Sequence, residues 1–169
     1  MEAEEHIILE DMPIVLRPIR PGDEAAHREF LGSLRPADYR QRFFDAPHPH
    51  DREELRRYTH LDPAREAAFI ASEDKGGGRI LGVARTVRRE DPERAEFAVV
   101  VRSNLKGHGL GNLLLDRLIR HARSQGIAKL EGETLASNAR MLHLARDFGF
   151  EIDPPIDGLC SLRLKLPRE

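Results

Sequence analysis

The stretch AEFAVVVRSNLKGHGLGNLLL, Ala95 to Leu115, decides how this chain is read. An apolar run from Phe97 to Val101 has the length and β-branched content of a buried strand. A polar step, RSNL, leads into KGHGLG. Beyond it, LGNLLLDRLIRHARSQG puts Leu110, Leu113, Leu114, Arg117, Leu118 and Ala122 at helical intervals. The order is therefore strand, glycine loop, amphipathic helix. In such a loop, glycines let successive backbone N–H groups turn toward one anion, and the helix start adds the positive end of a dipole. A pyrophosphate suits that arrangement. Two familiar nucleotide loops fit poorly: the third glycine of a dinucleotide fingerprint would fall on Asn112, and no Gly-Lys-Ser/Thr follows for a P-loop. Taken alone, the loop fits an ordinary tight strand-to-helix turn as well as an anion cradle.

Working outward, Gly126 stops the helix, IAKLEGETL supplies a strand, and Asn138 opens a helix, NARMLHLARDFGF, that ends near Gly149. LCSLRLKL closes the chain as a strand. Upstream, AAFIASE, DKGGG and RILGVARTVRR form a hairpin, and RAEFAVVV follows Asp91-Pro92. Earlier still, IVLRPIR (Ile14 to Arg20) alternates apolar and basic residues as a strand does. EAAHREFLGSL, a piece starting at Pro36 and containing YRQRFF, and a piece capped by Asp51 are helical, and APHPH is a loop between the last two. Residues 1–12 show no clear period and read as an N-terminal arm, with one domain over 13–169. The sum is an α+β fold whose central sheet is mixed, mostly antiparallel and flanked by helices.

Composition sets bounds on function. A chain of 169 residues with 40% hydrophobic and 33% charged residues makes one compact domain with a real core. A net charge of −2 gives no reason to expect a nucleic-acid partner. The apolar runs fall short of a membrane span and the N-terminus is acidic where a signal peptide would be basic, so no membrane association and a cytoplasmic location are expected. The single cysteine, Cys160, has no internal disulfide partner. The eight histidines show no HExxH spacing. His48 and His50 in APHPH read as loop histidines, and no metal is assigned.

AEFAVVVRSNLKGHGLGNLLL followed by NARMLHLARDFGF resembles the central half of the GNAT superfamily of N-acyltransferases, and LRPIRPGDE, GVAR and the terminal LRLKL extend the likeness over most of residues 14–166. The family's Q/R-x-x-G-x-G/A loop maps to Lys106, Gly109 and Gly111, with lysine in place of glutamine or arginine. The resemblance implies acetyl-CoA as cosubstrate. Its pyrophosphate would lie on the loop formed by Lys106, Gly107, His108, Gly109, Leu110 and Gly111, and its pantetheine amides along the main chain of Val99, Val100 and Val101. Asn138 would stand near the pantetheine arm, or serve as a plain helix cap, or both. His108, inside the loop, either touches phosphate or faces solvent. More narrowly, RPIRPGDE, RQRFF, AEFAVVV and NARMLHLARDFGF resemble the acetyltransferase domain of bacterial protein lysine acetyltransferases that modify acyl-CoA synthetases. Those proteins often carry a synthetase-like region or a cyclic-nucleotide module, neither of which is expected within these residues.

The implied chemistry is acetyl transfer to a primary amine, with a protein lysine as first acceptor. A small amine or amino acid is the alternative, as is a CoA-binding regulatory module without turnover, and a homodimer is compatible with any of them. Lysine has an ordinary pKa near 10.4, so a base must take its proton. Glu96 resembles in position the general-base glutamate of several family members, and its competing reading is an exposed carboxylate paired with Arg94 or Arg85. A leaving-group acid is missing: the family tyrosine falls on Ala145, and His143 and Cys160 are weak substitutes. Arg40, Arg42, Phe43 and Phe44 mix cations with aromatics, either facing the acceptor or forming a partly buried helix with solvated arginines.

Overall fold

The computed structural model describes residues 3–44, 48 and 50–167. The APHPH loop thus lies partly outside the described residues. In chain order the elements are β1 (Glu5–Leu9), β2 (Met12–Pro18), α1 (Glu24–Gly32), α2 (Pro36–Phe43), α3 (Arg52–Arg57), β3 (Glu66–Glu73), β4 (Ile80–Arg88), β5 (Arg94–Val101), α4 (Leu110–Ser124), β6 (Lys129–Leu135), α5 (Ala139–Asp147), β7 (Glu151–Ile152) and β8 (Leu159–Lys165). The eight strands among the described residues form one sheet ordered β1-β2-β3-β4-β5-β6-β8-β7. Every neighbouring pair is antiparallel except β5 with β6, which run parallel. The fold is therefore α+β with a mixed, mostly antiparallel sheet, as the sequence leads one to expect.

The sheet is buried on both faces. One face packs a cluster built on Phe69, Leu81, Ala95, Phe97, Leu114, Leu118 and Leu130, much of it from the apolar stripe of α4. The other holds Phe30, Leu31, Leu34, Tyr39, Leu55, Ile70 and Val83, closed by α1, α2 and α3. Strand alternation sorts β5 accordingly: Ala95 and Phe97 face α4, while Glu96, Ala98 and Val100 face the side of α1–α3.

The N-terminal segment departs from the expected loose arm. Residues 5–9 form an edge strand paired along its length with β2, and Ile7 and Leu9 pack against the core. Two features conceal it in the sequence. Ile8 is 74% exposed, which spoils the apolar–polar alternation. The reversal at Glu10 and Asp11 uses positive φ values of 47° and 67° without a glycine to announce it. The two-residue β7 was likewise not anticipated.

Candidate functional site

The site begins where two parallel strands part. β5 pairs with β6 only through Arg94↔Lys129, Ala95↔Leu130 and Glu96↔Glu131, whereas its other edge stays paired with β4 as far as Val101. Past Glu96, the β6-facing edge of β5 has no strand beside it among the described residues. Alternate residues there direct N–H and C=O groups into an open gap. A β-carbon on Gly132 would stand 2.8 Å from the Phe97 ring, which fills the wedge between the strands and packs on Phe150 at 5.0 Å between ring centroids. Glycine is required at that point of β6 because the ring occupies the space.

At the far end of the open edge lies the glycine loop. Gly107 and Gly109 have φ of 88° and 92°, and Gly109 precedes the first residue of α4 without any side-chain cap. The loop-to-helix bond from Leu113 N–H to the Gly109 carbonyl leaves the N–H groups of Leu110, Gly111 and Asn112 without an intrahelical acceptor. A cleft of about 960 Å³ runs from this helix start along Val99–Val101 to the first turn of α5, where Asn138 caps the helix by accepting from the Met141 N–H at 3.1 Å. Its length, amide-lined edge and unsatisfied helix start suit an extended ligand with a phosphate end.

Not every expected cofactor residue reaches that cleft through its side chain. The Lys106 ammonium is ion-paired with Asp38 on α2, so the loop contributes its backbone while its charge is directed elsewhere. Burial pushes the Asp38 carboxyl up, but hydrogen bonds from Lys106 and Ser103 outweigh it and hold the pKa below the usual range. His108 turns away, its Nδ1 2.6 Å from Glu10 in the β1–β2 turn, and is absent from the cleft lining. β1, unanticipated in the sequence, supplies that partner. Conversely, Arg140 was missed. Its guanidinium sits 2.9 Å from where a β-carbon on Gly107 would be, and it lines the cleft. In sequence it is one more arginine in a helical first turn.

A second cleft, of about 690 Å³, opens on the α1–α3 side of the sheet. Its floor follows the strand register: Glu66, Val87 and Glu96 make one row, and Arg85 and Ala98 the next. Glu96 is on its wall with its side chain 59% exposed and its Oε1 2.9 Å from Arg89 Nη2. The expected partner Arg94 instead binds Glu131. The two clefts share Gln41, Arg42, Val99, Asn138 and Met141, so they meet beside the open edge of β5.

Of the four residues proposed around the acceptor, Arg42 and Phe44 line this second cleft, Phe44 with 47% of its surface exposed. Arg40 is exposed outside both clefts, and Phe43 packs on Tyr39 at 4.5 Å between centroids, because α2 turns those two positions away. Arg85, which sequence reading considered only as a partner for Glu96, is central. It donates to the Tyr58 carbonyl at 2.8 Å and to His27 Nε2 at 3.1 Å, and lies over the Tyr58 ring. Burial, then the charge of Arg42, lowers its pKa to about 10, so it stays a cation at neutral pH. Burial likewise lowers Arg42. His27 is driven to about 3, first by burial and then by Arg85 and Arg42, and is neutral.

The remaining candidates separate cleanly. Ala145 is fully buried and Cys160 is a buried free thiol outside both clefts. His143 lines the first cleft and pairs with Asp147 at 3.4 Å. His48, His50 and Glu54 bring ligand-type atoms within 4.8 Å of one another. Both ring nitrogens of His50 already engage Tyr39 and Glu54, at 2.8 and 2.9 Å.

Known proteins resemble this chain in sequence and in fold. The chain is 28% identical over 138 residues to the acetyltransferase PA5475 of Pseudomonas aeruginosa, covering 81% of this chain and 74% of that protein. The GNAT domain of S. lividans PAT superposes with a TM-score of 0.87 at 24% identity, covering 96% of this chain and 97% of the other, which is a likeness of fold. The yncA putative acetyltransferase of Salmonella typhimurium, solved with its cofactor acetyl-CoA, superposes with a TM-score of 0.74 at 20% identity, over 92% and 95% of the two chains. Residues 32–150 match the model of the Acetyltransferase (GNAT) family, and the chain belongs to that family of acetyltransferases.

Proposed function

We propose that this chain moves an acetyl group from acetyl-CoA to a primary amine, with Glu96 as general base. The observation that carries the reading is the meeting of the two clefts at Val99, beside the unpaired edge of β5. The N–H groups of Leu110, Gly111 and Asn112 would hold the pyrophosphate, with Arg140 adding positive charge nearby. The free edge of Val99–Val101 would take up the pantetheine amides as a short added strand. Acetyl-CoA supplies a thioester whose thiol, with an ordinary pKa near 8.5, leaves readily.

An acceptor entering the second cleft passes Glu96, whose exposed carboxylate takes the ammonium proton directly or through water, so that the neutral amine attacks. A β5 backbone N–H near Val99 donates to the carbonyl oxygen as charge builds on it. Ala145 offers no proton to the departing sulfur, so the C–S bond breaks to a free thiolate, and the second proton, shed by the attacking nitrogen as the amide forms, passes to solvent water. A protein lysine, such as one on an acyl-CoA synthetase, is the first acceptor in this reading. The cleft is open beside Glu96, and Phe44 and Arg57 line its wall. The test is mass spectrometry of purified acyl-CoA synthetases and a panel of small amines after incubation with acetyl-CoA and the chain. An acetyl increment on an amine supports the reading; saturable acetyl-CoA binding with no acetylated product overturns it in favour of a regulatory module.

A further inference from the structure

Two cations of the acceptor cleft have no direct ion-pair partner among the described residues. Arg42 and Arg85 both line the cleft, and the charge of Arg42 adds to burial in lowering the pKa of Arg85. No carboxylate oxygen lies within 4 Å of either guanidinium among the described residues, in contrast to Arg17, Arg79, Arg94, Arg102 and Arg163, each of which has one. Arg85 donates to the Tyr58 carbonyl and His27, and the guanidinium carbon of Arg42 lies 4.6 Å from the centre of the Phe43 ring. Two partly buried like charges side by side are costly without an anion, and water in a cleft offsets that cost only in part. Four carboxylates line the same cleft, Glu54, Glu66, Glu96 and Glu133, but none is ion-paired with Arg42 or Arg85: Glu54 pairs with His50, and the exposed Glu96 with Arg89. Glu66 acts on Arg85 only at longer range.

We propose that Arg42 and Arg85 form an anion subsite that selects acceptors bearing a carboxylate close to the reacting amine. This rests on the reading that the acceptor occupies this cleft. The subsite has the geometry for it. Arg42 lies at the junction with the cofactor cleft, Arg85 lies opposite Ala98 in the strand register, and Glu96 is one residue pair further along the same face. An acceptor bound there has its carboxylate at the arginine end and its amine between that end and Glu96, beside Val99. The carboxylate can be the α-carboxylate of an amino acid or an Asp or Glu side chain next to a target lysine, and the experiment separates the two.

Thiol release from acetyl-CoA is measured with matched pairs: free amino acids against their α-carboxamides, and lysine pentapeptides with Asp against Asn beside the lysine. The expected result is a preference in kcat/KM of about tenfold or more for the carboxylate member of one series, which identifies the source, falling toward unity in Arg42→Gln. Equal use of both members by the wild type overturns the subsite while leaving acetyl transfer standing. A preference that survives in Arg42→Gln also overturns it. Because a chain without turnover would give no rates, acetate is titrated in parallel against 15N-labelled protein. Saturable shifts of the Arg42 and Arg85 side-chain Nε–H signals, lost for Arg85 in Arg42→Gln, support the subsite. Unmoved signals in the wild type overturn it.

Discussion

The ring of Phe97 lies against Gly132 so closely that a β-carbon on that glycine would be 2.8 Å from it, and this contact stands one residue beyond the last paired position of β5 and β6. The ring thereby acts as the wedge that keeps the two strands apart and the β5 edge free. Gly132→Ala forces the ring or the strand to move. We expect a loss of about 1–3 kcal/mol in stability from overpacking. A several-fold weaker acetyl-CoA affinity should accompany it, read by denaturant unfolding and calorimetry on the same sample.

Gly107 combines a φ of 88° with the Arg140 guanidinium at its α-carbon. Gly107→Ala strains the backbone by about 1–2 kcal/mol and pushes Arg140 off the loop. The expected outcome is a roughly tenfold rise in the acetyl-CoA Kd, with Arg140→Ala giving a rise of the same order.

Lys106 is tied to Asp38, which is buried. If the ammonium serves the fold, Lys106→Met leaves a buried carboxylate without its cation and costs about 1–3 kcal/mol of stability. The same variant should change acetyl-CoA affinity by less than about threefold, and Lys106→Met with Asp38→Asn should recover part of the stability. A large affinity loss with unchanged stability would return the ammonium to the phosphates.

His27 is buried, neutral and held near a pKa of about 3, below its ordinary 6.5. The unfolded chain therefore binds a proton that the folded chain refuses throughout that interval. Stability falls as pH drops from about 6.5 toward 3, by up to about 1.4 kcal/mol per unit from this residue, and is unaffected by it above 6.5. Denaturant midpoints between pH 7 and 5, above the carboxylate range, are compared with those of His27→Gln, which should remove this residue's part of the slope; His6, raised by Asp74, contributes in the opposite sense in both proteins.

How much of this the sequence discloses depends on the range of the interaction. The glycine loop, α4 and the Asn138 cap are local features with local signals, and they are where the reading expected them. The strands β2, β3, β4, β5, β6 and β8 are likewise written in apolar runs and turns. What fails to show is whatever register and tertiary packing decide. Arg94 is two residues from Glu96 yet bonds across to β6, while Arg89 comes back along the strand to Glu96. Arg85 and Arg42 are brought together only by packing α2 against the sheet at β5 and β6. His108 looks like a phosphate contact until β1 brings Glu10 beside it.

Glu96 is the residue on which the account turns, and thiol release from acetyl-CoA with an accepted amine tests it most directly. In Glu96→Gln, kcat at neutral pH should fall by about 10²–10³, acetyl-CoA affinity should stay within about twofold, and raising the pH should recover part of the rate as the amine deprotonates by itself. A variant that turns over at the wild-type rate at pH 7 would contradict the assignment of Glu96 as the base.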